Sequence, residues 1–378
     1  MNSKNKLLIF GDICTVDAHN KSLNDLFGDE YVKELSELIN TEDYTIANLE
    51  APVIDDFSPI CKCGPTLHVP TSHVKVLKKM GIDALSLANN HILDHGKKGL
   101  STTLAQLSAN DIVGWGATTE DEQGCSPLIL NIANKKVAIF SFAEKEFNTD
   151  NVTSSGANIF DPYIHLHEIA RFKEEVDYIV VLYHGGIEHY VYPSPDLQKK
   201  CRAMVSMGAD CVLCQHSHCI GTIEHFNNGF ILYGQGNAIF GYRRENATWN
   251  QGLAIRIDPS SRYIEMIPIG ITDKGCSVIN PALAKEILDT LKLNSSRVSD
   301  KTFIHEQWIR FTMQKRALYL AMLMGKSRIF NKLNRIVDNK ILSLLVSKST
   351  WRTMLNLIRC DSHREVLVNI LEQENIKA

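Results

Sequence analysis

The sequence predicts an α/β fold built on a layered sheet, followed by a separate helical region. Short apolar runs typical of buried strands alternate with amphipathic segments through the first two thirds of the 378 residues. A cluster of polar residues directly follows five of these runs. After about Thr272 the strand-like runs stop, and a helical period with few glycines begins near Pro281. These changes predict two domains, residues 1–275 and residues 276–378, the second of them helical.

Each predicted element rests on its hydrophobic period. Four amphipathic segments predict helices, and two of them end at Gly81 and Gly208, which is typical of C-terminal caps. The helices are expected at Tyr31–Ile39, Ser72–Met80, Lys98–Ala109 and Asp196–Met207. The strands are expected at Leu7–Phe10, Tyr44–Ala47, Ala84–Leu87, Val137–Phe142, Tyr178–Tyr183, Cys211–Leu213, Phe230–Tyr233 and Leu253–Ile257.

The composition excludes several classes of protein. Hydrophobic residues make up 44% and charged residues 22%, as in ordinary globular proteins, and the net charge of −3 argues against a nucleic-acid partner. No apolar run approaches the roughly 18 residues of a membrane span, and Leu7–Phe10 is too short for a signal-peptide core. Ten scattered cysteines favour reduced thiols in a cytoplasmic protein, and Cys61-x-Cys63 lacks the second pair of a zinc site. Without a Walker-type or GxGxxG motif, nucleotide chemistry is not expected.

The five polar clusters are expected to meet at one edge of the sheet, because parallel strands present their carboxyl ends together. The last cluster holds His216 and His218, directly after the strand Cys211–Leu213. On an extended segment the side chains at i and i+2 point to the same side, so both imidazoles would reach one point. The clusters are Gly11-Asp12, Asn48-Leu49-Glu50, Asn89 to Gly96, His184 to Glu188, and His216-Ser217-His218.

This mixture of side chains is typical of a divalent metal centre. Hydrolytic sites bind the metal through carboxylates and imidazoles and leave coordination positions for water and substrate. Two metals about 3.5–4 Å apart need a carboxylate that bridges them. Asn90 could ligate through its amide oxygen, which would leave the adjacent His91 to protonate a leaving group.

Taken together, the motifs resemble those of the CapA family, bacterial proteins linked to capsule and poly-γ-glutamate production. The fold of that family is similar to that of calcineurin-like metallophosphoesterases, so the resemblance implies a four-layer sandwich. It covers about Leu7 to Ile257 and leaves out the helical region. The motifs are GD, NLE, ANNHxxDxG, HGGxE and HxH, closed by the segment Tyr233–Phe240.

The resemblance implies a role for each of these residues. Asp12 is expected to bind one metal and Glu50 to bridge two, while Asn90 and His184 bind the second metal. The pair His216 and His218 would divide between the two metals. The implied cofactor is one or two divalent ions of zinc, manganese or iron.

The same resemblance assigns the catalytic and substrate-binding residues. His91 is expected to act as the general acid or to contact the leaving group, with Asp94 beside it. Glu188 would orient His184 or contact substrate. Lys62, in a loop similar to the family's lysine-bearing loop, would meet an anionic group. The expected substrate-binding residues are Lys62, Asn89 and Asn237.

Two residues differ from the metallophosphoesterase pattern, so three states of the first metal site are possible. Cys14 stands where phosphoesterases carry a histidine, and the longer Glu50 replaces the bridging aspartate. The first site could therefore be weaker, mononuclear or absent.

Simpler roles also remain open for several residues. His216 and His218 could be solvated loop histidines, Asp12 could cap a helix, and Glu188 could be a surface carboxylate. His91 could be a buried histidine hydrogen-bonded to Asp94, and Asn89 could brace the turn.

The helical region contains a basic segment between Arg310 and Lys340. Apolar residues alternate with the basic ones, as in helices that lie on anionic lipid or bind an acidic polymer, although a packed helix with a solvated basic face has the same pattern. The basic residues are Arg310, Lys315, Arg316, Lys326, Arg328, Lys332, Arg335 and Lys340, opposed by Asp338.

The function that these features favour is metal-dependent hydrolysis of a phosphoester or related bond in a cell-surface polymer or its precursor. One alternative is amide hydrolysis or transfer on a γ-glutamyl polymer, since the same ligands serve both reactions. A second alternative is a non-catalytic scaffold of a capsule-assembly complex that uses the basic helical region. The expected partner is an anionic polymer, and the expected location is the cytoplasm or the inner face of the membrane.

Overall fold

Two β-sheets lie face to face at the centre of the computed structural model, which describes residues 4–16, 27–40, 43–119, 126–150, 155–323 and 347–377. The strands of the first sheet are β1 (Lys6–Ile13), β2 (Asp43–Leu49), β3 (Ala84–Ser86), β4 (Val113–Trp115), β13 (Asn237–Ile239), β14 (Gln251–Asp258), β15 (Tyr263–Ile271) and β16 (Cys276–Val278). The strands of the second sheet are β6 (Leu128–Ile132), β7 (Lys135–Ala143), β9 (Tyr178–His184), β10 (Cys211–Gln215), β11 (Ile223–Phe226) and β12 (Gly229–Leu232). A separate short pair is formed by β5 (Ala117–Thr118) and β8 (Gly156–Ala157).

Both sheets are parallel at their centres and antiparallel at their edges. The first sheet has the order β16-β15-β14-β1-β2-β3-β4, with β13 also paired to β1, and the second has the order β11-β12-β10-β9-β7-β6. Strands β1 to β4 run parallel to one another, as do β7, β9, β10 and β12. Their carboxyl ends therefore open on common edges, where α/β folds place their binding sites.

Helices cover both outer faces, which makes four layers. The helices are α1 (Asp29–Ser36), α2 (Thr71–Met80), α3 (Gly96–Ala109), α4 (Pro162–Lys173), α5 (Pro195–Ser206), α6 (Pro281–Ser295), α7 (Lys301–Leu323), α8 (Lys348–Arg359) and α9 (Asp361–Lys377). Buried residues of α1, α2 and α3 share a core with the first sheet, and those of α4 and α5 share another with the second sheet. The predicted four-layer α/β sandwich is confirmed.

Strand β9 shows why the predicted strands are continuous apolar runs in the sequence. Val180 and Leu182 point into the core between the sheets, while Ile179 and Val181 point toward the helices. A strand with helices on one face and a sheet on the other buries every side chain. Complete burial of each such side chain contributes about 1.5–3 kcal/mol, so the layered core supplies the free energy that holds the strand ends in place.

The contacts of the chain divide it into two compact units, Met1–His305 and Glu306–Ala378. The first unit extends beyond the boundary predicted at residue 275 because α6 packs on β11 and β15 and buries Ile287 and Leu291. The second unit contains most of α7 together with α8 and α9, which pack against each other. Every helix within the described ranges is too short or too polar to cross a bilayer.

Only part of the predicted basic segment can be placed. Arg310, Lys315 and Arg316 lie on α7. Lys326, Arg328, Lys332, Arg335 and Lys340 fall outside the described residues.

An ion pair between the buried Glu224 of β11 and the partly buried Arg202 of α5 joins the edge of the second sheet to its helices. The Glu224 carboxylate accepts hydrogen bonds from Arg202 Nη2 at 2.5 Å, Tyr233 Oη at 2.6 Å and Ser299 Oγ at 2.9 Å. Burial alone would raise the pKa of Glu224, but its hydrogen bonds to Arg202, Tyr233 and Ser299 outweigh burial and lower this pKa. The carboxylate is therefore charged at neutral pH and contributes to stability there.

We expect Glu224→Gln to lower the free energy of unfolding by about 2 kcal/mol at neutral pH, because the partly buried Arg202 loses its counter-charge. A group with a lowered folded-state pKa stabilises above its unfolded pKa, so the loss should shrink as the pH falls through the lowered value. Denaturant titration at neutral and acid pH measures both. Glu265→Gln, at a half-exposed ion pair with Arg256, is the matched control and should cost about 0–1 kcal/mol. Equal costs for the two variants at neutral pH would contradict the assignment.

Candidate metal centre

Asp12 lies at the carboxyl end of β1, where a close approach of two strands fixes its position. A Cβ on the preceding Gly11 would lie 2.1 Å from the carbonyl oxygen of Gly236, so only glycine allows β1 to approach this segment. The Asp12 carboxylate is fully buried and accepts hydrogen bonds from Asn48 Nδ2 at 2.8 Å and from the backbone N–H of His216 at 2.9 Å. The first strand end is thus bonded to the ends of β2 and β10.

Glu50, one residue beyond β2, is the least satisfied polar group of the site. Its side chain is fully buried, and neither carboxylate oxygen has a hydrogen-bond partner among the residues that the structure describes. The closest basic atoms are Nε2 of His184 at 3.4 Å and Nε2 of His218 at 3.8 Å from its Oε1. A buried carboxylate that lacks hydrogen bonds is costly, and a divalent cation would satisfy both oxygens. The residues present therefore fit a metal.

His184 closes β9 and lies between the two carboxylates. Its Nδ1 is 3.6 Å from Asp12 Oδ1 and its Nε2 is 3.4 Å from Glu50 Oε1. Burial alone would lower the pKa of His184, but the adjacent carboxylates of Glu50 and Asp12 raise it to about 10. Burial would likewise raise the pKa of Asp12, yet the interaction with His184 and the charge of His218 lower it to about 2. The negative environment that favours a proton on His184 also favours a cation.

The Asn89-Asn90-His91 turn follows β3 and delivers two amides to the site. The Asn90 side-chain oxygen lies 3.0 Å from Nε2 of His184, and its Nδ2 donates to Glu146 Oε2 at 3.4 Å. This orientation directs the amide oxygen, the atom that ligates metals, toward His184. Asn89 is fully buried and donates to the backbone oxygen of Leu49 at 2.8 Å, so it joins this turn to the end of β2.

His216 and His218 do not lie on an extended segment, so that expectation was wrong. Strand β10 ends at Gln215, and the two histidines adopt φ values of +81° and +50° in the turn that follows. Such values are rare for side chains with a Cβ and are held by the surrounding structure, here by the bond from the His216 N–H to Asp12. The two rings are 6.1 Å apart and face different partners.

The six predicted metal ligands fall into two groups that share Glu50. Glu50, His184 and His216 each offer a ligand atom within 4.8 Å of the others, and Asp12, Glu50 and His218 do the same. Asn90 lies beside the first group through its contact with His184. Burial and the neighbouring imidazoles of His184 and His218 hold the pKa of His216 well below its ordinary value, so His216 is neutral. Its Nδ1 also lacks a hydrogen-bond partner within the described chain.

His91 belongs to a second cluster beside these groups. Its Nδ1 is 2.6 Å from Asp94 Oδ2, and Asp94 also binds the ammonium group of Lys62. The Lys62 side chain is only 3% exposed, because it lies against both Asp94 and His91. Asp94 is fixed in turn by the backbone N–H of Leu67 at 2.6 Å. The carboxylate therefore sets the orientation of the His91 ring.

A cavity of about 240 Å³ opens beside the two ligand groups, and His91, Asn90, Lys62, His218 and Glu188 contribute to its wall. Glu188 is exposed at this cavity, and its carboxylate lies 3.9 Å from His189. Further wall residues are Glu146, Phe240, Arg243 and Trp249.

Asn89 and Asn237 are not among the residues of this wall. Asn237 is fully buried, accepts from Nδ1 of His218 at 2.8 Å and donates to the backbone oxygen of Trp249 at 2.9 Å. Its bond leaves Nε2 of His218 to face Glu50. In the structure Asn89 and Asn237 brace the site, and their contact with substrate stays a prediction.

Sequence reasoning missed several residues that support the site. Asn48 donates to Asp12, although it was noted only as part of a strand-end cluster. Asn148, fully buried in the loop after β7, donates to the backbone oxygens of Asn89 and Glu144 at 3.0 Å each. This loop also carries Glu146, which holds the Asn90 amide. An asparagine in a loop has no periodic pattern, so only its position shortly after Glu144 and Glu146, the carboxylates that follow β7, could have suggested it.

Cys14 belongs to neither ligand group. It is buried, its backbone N–H donates to Ile239 O at 2.7 Å, and its thiol donates to Val16 O at 3.2 Å. The group that contains Asp12 thus has two carboxylates and one imidazole.

The family model and the relatives that match this chain indicate the same family. The family model for the bacterial capsule synthesis protein PGA_cap matches residues 6–242. The capsule biosynthesis protein CapA of Bacillus anthracis is 28% identical over 298 residues, 75% of this chain and 72% of the relative. The PGA biosynthesis protein CapA of Bacillus subtilis (strain 168) is 29% identical over 291 residues, 74% of this chain and 71% of the relative.

Among solved structures, a hypothetical protein from Thermus thermophilus aligns at 15% identity with a TM-score of 0.44, over 71% of this chain and 100% of that one. The resemblance to the CapA family is confirmed by the family match and by the two relatives. The chain belongs to the family of the bacterial capsule synthesis protein PGA_cap.

Proposed function

We propose that this protein is a metal-dependent hydrolase that acts on a phosphoester or related bond in capsule, exopolysaccharide or poly-γ-glutamate metabolism. The observation that carries the proposal is Glu50, a fully buried carboxylate with two oxygens that lack hydrogen bonds within the described chain, shared by two groups of candidate ligands. Its substrate would be an anionic cell-surface polymer or a precursor of one, which the names of the CapA relatives support.

The two ligand groups give each residue a defined task. Asp12, Glu50 and His218 would hold one ion, and Glu50, His184 and His216 with Asn90 would hold the other. A zinc, manganese or iron ion would polarise the scissile group and lower the pKa of water. The surrounding carboxylates and imidazoles orient that chemistry and keep the site negative enough to bind cations.

Among the residues that the structure describes, His91 is the best placed to supply a proton. Its ring lines the cavity, and Asp94 holds its Nδ1 at 2.6 Å. While Nδ1 donates to Asp94, the opposite ring nitrogen of an imidazolium would donate its proton to a leaving oxygen or nitrogen. The same donor would serve an ester or an amide, so hydrolysis of a γ-glutamyl amide is the nearest alternative reaction.

We expect the purified protein to contain at least one equivalent of zinc, manganese or iron, and His184→Ala and His216→Ala to lose most of it, because each removes a central ligand. Elemental mass spectrometry measures the content. His225→Ala removes an exposed histidine of β11 and is the matched control, which should keep its metal. Two outcomes would rule out the proposal. The wild-type protein could hold no metal after supplementation, or both ligand variants could hydrolyse the substrate as fast as the wild type.

Replacement of His91 by glutamine should lower kcat by about 10²–10⁴-fold with the metal content unchanged, because a proton donor is lost while the ligands remain. Steady-state kinetics on a panel of aryl phosphates and γ-glutamyl amides gives this ratio and also shows which bond is cleaved. An unchanged kcat on the better substrate would show that His91 transfers no proton in the rate-limiting step.

A second candidate function is attachment to an anionic surface without catalysis, and the amphipathic helix α8 favours it. Trp351, Met354, Leu355 and Ile358 follow the i, i+3, i+4, i+7 spacing of one helix face. Leu355 is 50% and Ile358 46% exposed, and the helix carries basic but no acidic residues. Helices of this composition lie at the surface of anionic membranes. The protein would then work at the cytoplasmic face of the membrane.

For this second function we expect the full-length protein to co-sediment with vesicles of phosphatidylglycerol and phosphatidylcholine, and Leu355→Glu to lower the bound fraction several-fold. The added carboxylate would have to enter the acyl region with the apolar face. Thr353→Glu makes the same change of charge on the opposite, polar face and is the control. Equal binding of Leu355→Glu and Thr353→Glu would exclude insertion of the apolar face.

A further inference from the structure

The residue that follows β7 carries a carboxylate that contacts the chain on both sides of His184. The backbone N–H of this residue, Glu144, donates to the carbonyl oxygen of His184 at 3.0 Å. Its Oε1 accepts from the Tyr183 hydroxyl at 3.1 Å, and its Oε2 accepts from the backbone N–H of Gly186 at 3.2 Å. A single residue is therefore bonded to the positions before and after a candidate metal ligand and to the ligand's own backbone.

The Tyr183 hydroxyl is the donor in its contact with Glu144. Burial and the neighbouring Glu144 carboxylate raise the pKa of Tyr183 above its ordinary value, so the proton stays on the phenol oxygen. The ring of Tyr183 is buried in the core between the second sheet and its helices. The hydrogen bond therefore connects Glu144 to a side chain that apolar packing holds in place.

The two glycines of the HGGxE motif make room for this carboxylate. A Cβ on Gly185 would lie 2.5 Å from Cγ of Glu144, so an alanine there would displace the Glu144 side chain. Gly186 adopts a φ of +108°, which residues with a Cβ rarely adopt, and in this conformation its N–H donates to Glu144. The close approach of Glu144 to the chain after His184 thus accounts for both glycines.

Strand pairing alone holds the chain only weakly beyond His184. Strand β9 ends at this residue, and the next N–H, that of Gly185, donates to the backbone oxygen of Gln215 at 3.4 Å. The imidazole ring contacts Asn48 Nδ2 at 3.1 Å through its Nδ1. Glu144 supplies the complementary restraint on the backbone, and a shift of that backbone would move the ring relative to the other ligands.

The segment that begins at Glu144 also holds the neighbouring candidate ligand, Asn90. Glu146 accepts from Asn90 Nδ2 at 3.4 Å, and its backbone N–H donates to Asn148 Oδ1 at 2.9 Å. Asn148 in turn donates to the backbone oxygen of Glu144 at 3.0 Å. Since Asn90 Oδ1 lies 3.0 Å from His184 Nε2, one segment restrains two ligands of the same group.

We propose that Glu144 is a positioning residue of the candidate metal centre, which holds His184 in the orientation that binds a divalent metal. The inference rests on the proposed function, because it requires His184 to ligate a metal. Glu144 belongs to neither of the two ligand groups found among the described residues, so it acts through Tyr183, Gly186 and the backbone of His184. Removal of a residue that supports a metal ligand typically lowers metal affinity by about 10–100-fold.

The test is titration of the metal-free, full-length protein with Zn²⁺ in competition with a chelating dye, which measures a dissociation constant without an enzymatic assay. We expect Glu144→Ala to weaken Zn²⁺ binding by about tenfold or more, because both side-chain hydrogen bonds are lost. Glu144→Gln should stay within about twofold of the wild type, since its amide oxygen accepts from Gly186 and its NH₂ group donates to the Tyr183 oxygen. Tyr183→Phe loses one of the two bonds and keeps the packing of the ring, so it should weaken binding by about threefold.

Hydrogen exchange of the metal-free protein, followed by mass spectrometry, provides a readout that does not involve metal. The Gly186 amide should exchange faster in Glu144→Ala than in the wild type and should keep its protection in Glu144→Gln. A change in protein stability alone would affect exchange throughout the core, whereas the loss of this bond affects the residues that follow β9.

Asp196→Ala is the matched control. The Asp196 carboxylate lies 2.8 Å from the ammonium group of Lys200, which is also 3.5 Å from Glu144, so the variant removes the other carboxylate from the same lysine. It leaves the bonds to Tyr183 and Gly186 intact, and its Zn²⁺ affinity should equal that of the wild type.

The outcomes separate this inference from the proposed function. Unchanged Zn²⁺ affinity in Glu144→Ala, or an equal loss in Glu144→Ala and Asp196→Ala, would overturn the positioning role while the metal centre stands. If Glu144→Ala does not fold, unchanged affinity in Tyr183→Phe overturns the role instead. A wild-type protein that binds no Zn²⁺ would overturn the metal centre and this inference with it.

Discussion

The candidate metal centre depends on the burial of two carboxylates, Asp12 and Glu50, at the same edge of the sandwich. Both side chains are fully buried, and Glu50 has no hydrogen bond to either oxygen within the described chain. An uncompensated carboxylate in a protein interior costs several kcal/mol, and a protein keeps such a group when a binding partner offsets that cost. The imidazoles and amides around the pair are ligands for transition metals. The geometry is therefore that of a candidate cation site, whose buried carboxylates lower local stability.

Apolar burial in the layered core offsets the free-energy cost of these buried carboxylates. Each central strand is buried on both faces, so its position is fixed by apolar packing along its whole length, far from the polar end. The strand ends then deliver Asp12, Glu50 and His184 without any further adjustment. Asn48 and Asn89 join these ends through amide hydrogen bonds, and Asn237 fixes the ring of His218. The scaffold and the site are thus stabilised by different interactions, apolar in the layers and polar at the edge.

The position of the site could be predicted from sequence because it follows from two local rules. Apolar runs such as Tyr178–Tyr183 identify strands, and the carboxyl ends of parallel strands share an edge, so residues directly after those runs must lie close together.

These rules fail where contacts between distant residues determine the local structure. Helix α4 and strand β15 were not predicted. The amphipathic period of α4 is weak, and β15, which is the second strand from the edge of its sheet, contains Pro268. The turn at His216 was missed as well, since its positive φ depends on a bond to Asp12, 204 residues away. The stacking of Arg243 on Trp249 is a contact between loop residues that no period encodes.

The two ligand groups are unequal, and the inequality bears on what the site can do. The group with His184 and His216 gains Asn90, whereas the group with Asp12 and His218 has no further imidazole among the described residues, because Cys14 stands at the position of the expected histidine and its thiol donates to the backbone oxygen of Val16. A metal held by more ligands binds more tightly, and a metal with three protein ligands keeps positions open for water and substrate. The group with His184 and His216 would therefore be the one suited to retaining an ion. Asp12 and His218 would belong to the group suited to exchanging ligands, and both candidate groups reach the cavity, one through Asn90 and the other through His218, which also contacts Trp249. A metal held by the group with Asp12 and His218, which has three protein ligands, would keep positions open for water and substrate, and His218 lies at the cavity wall.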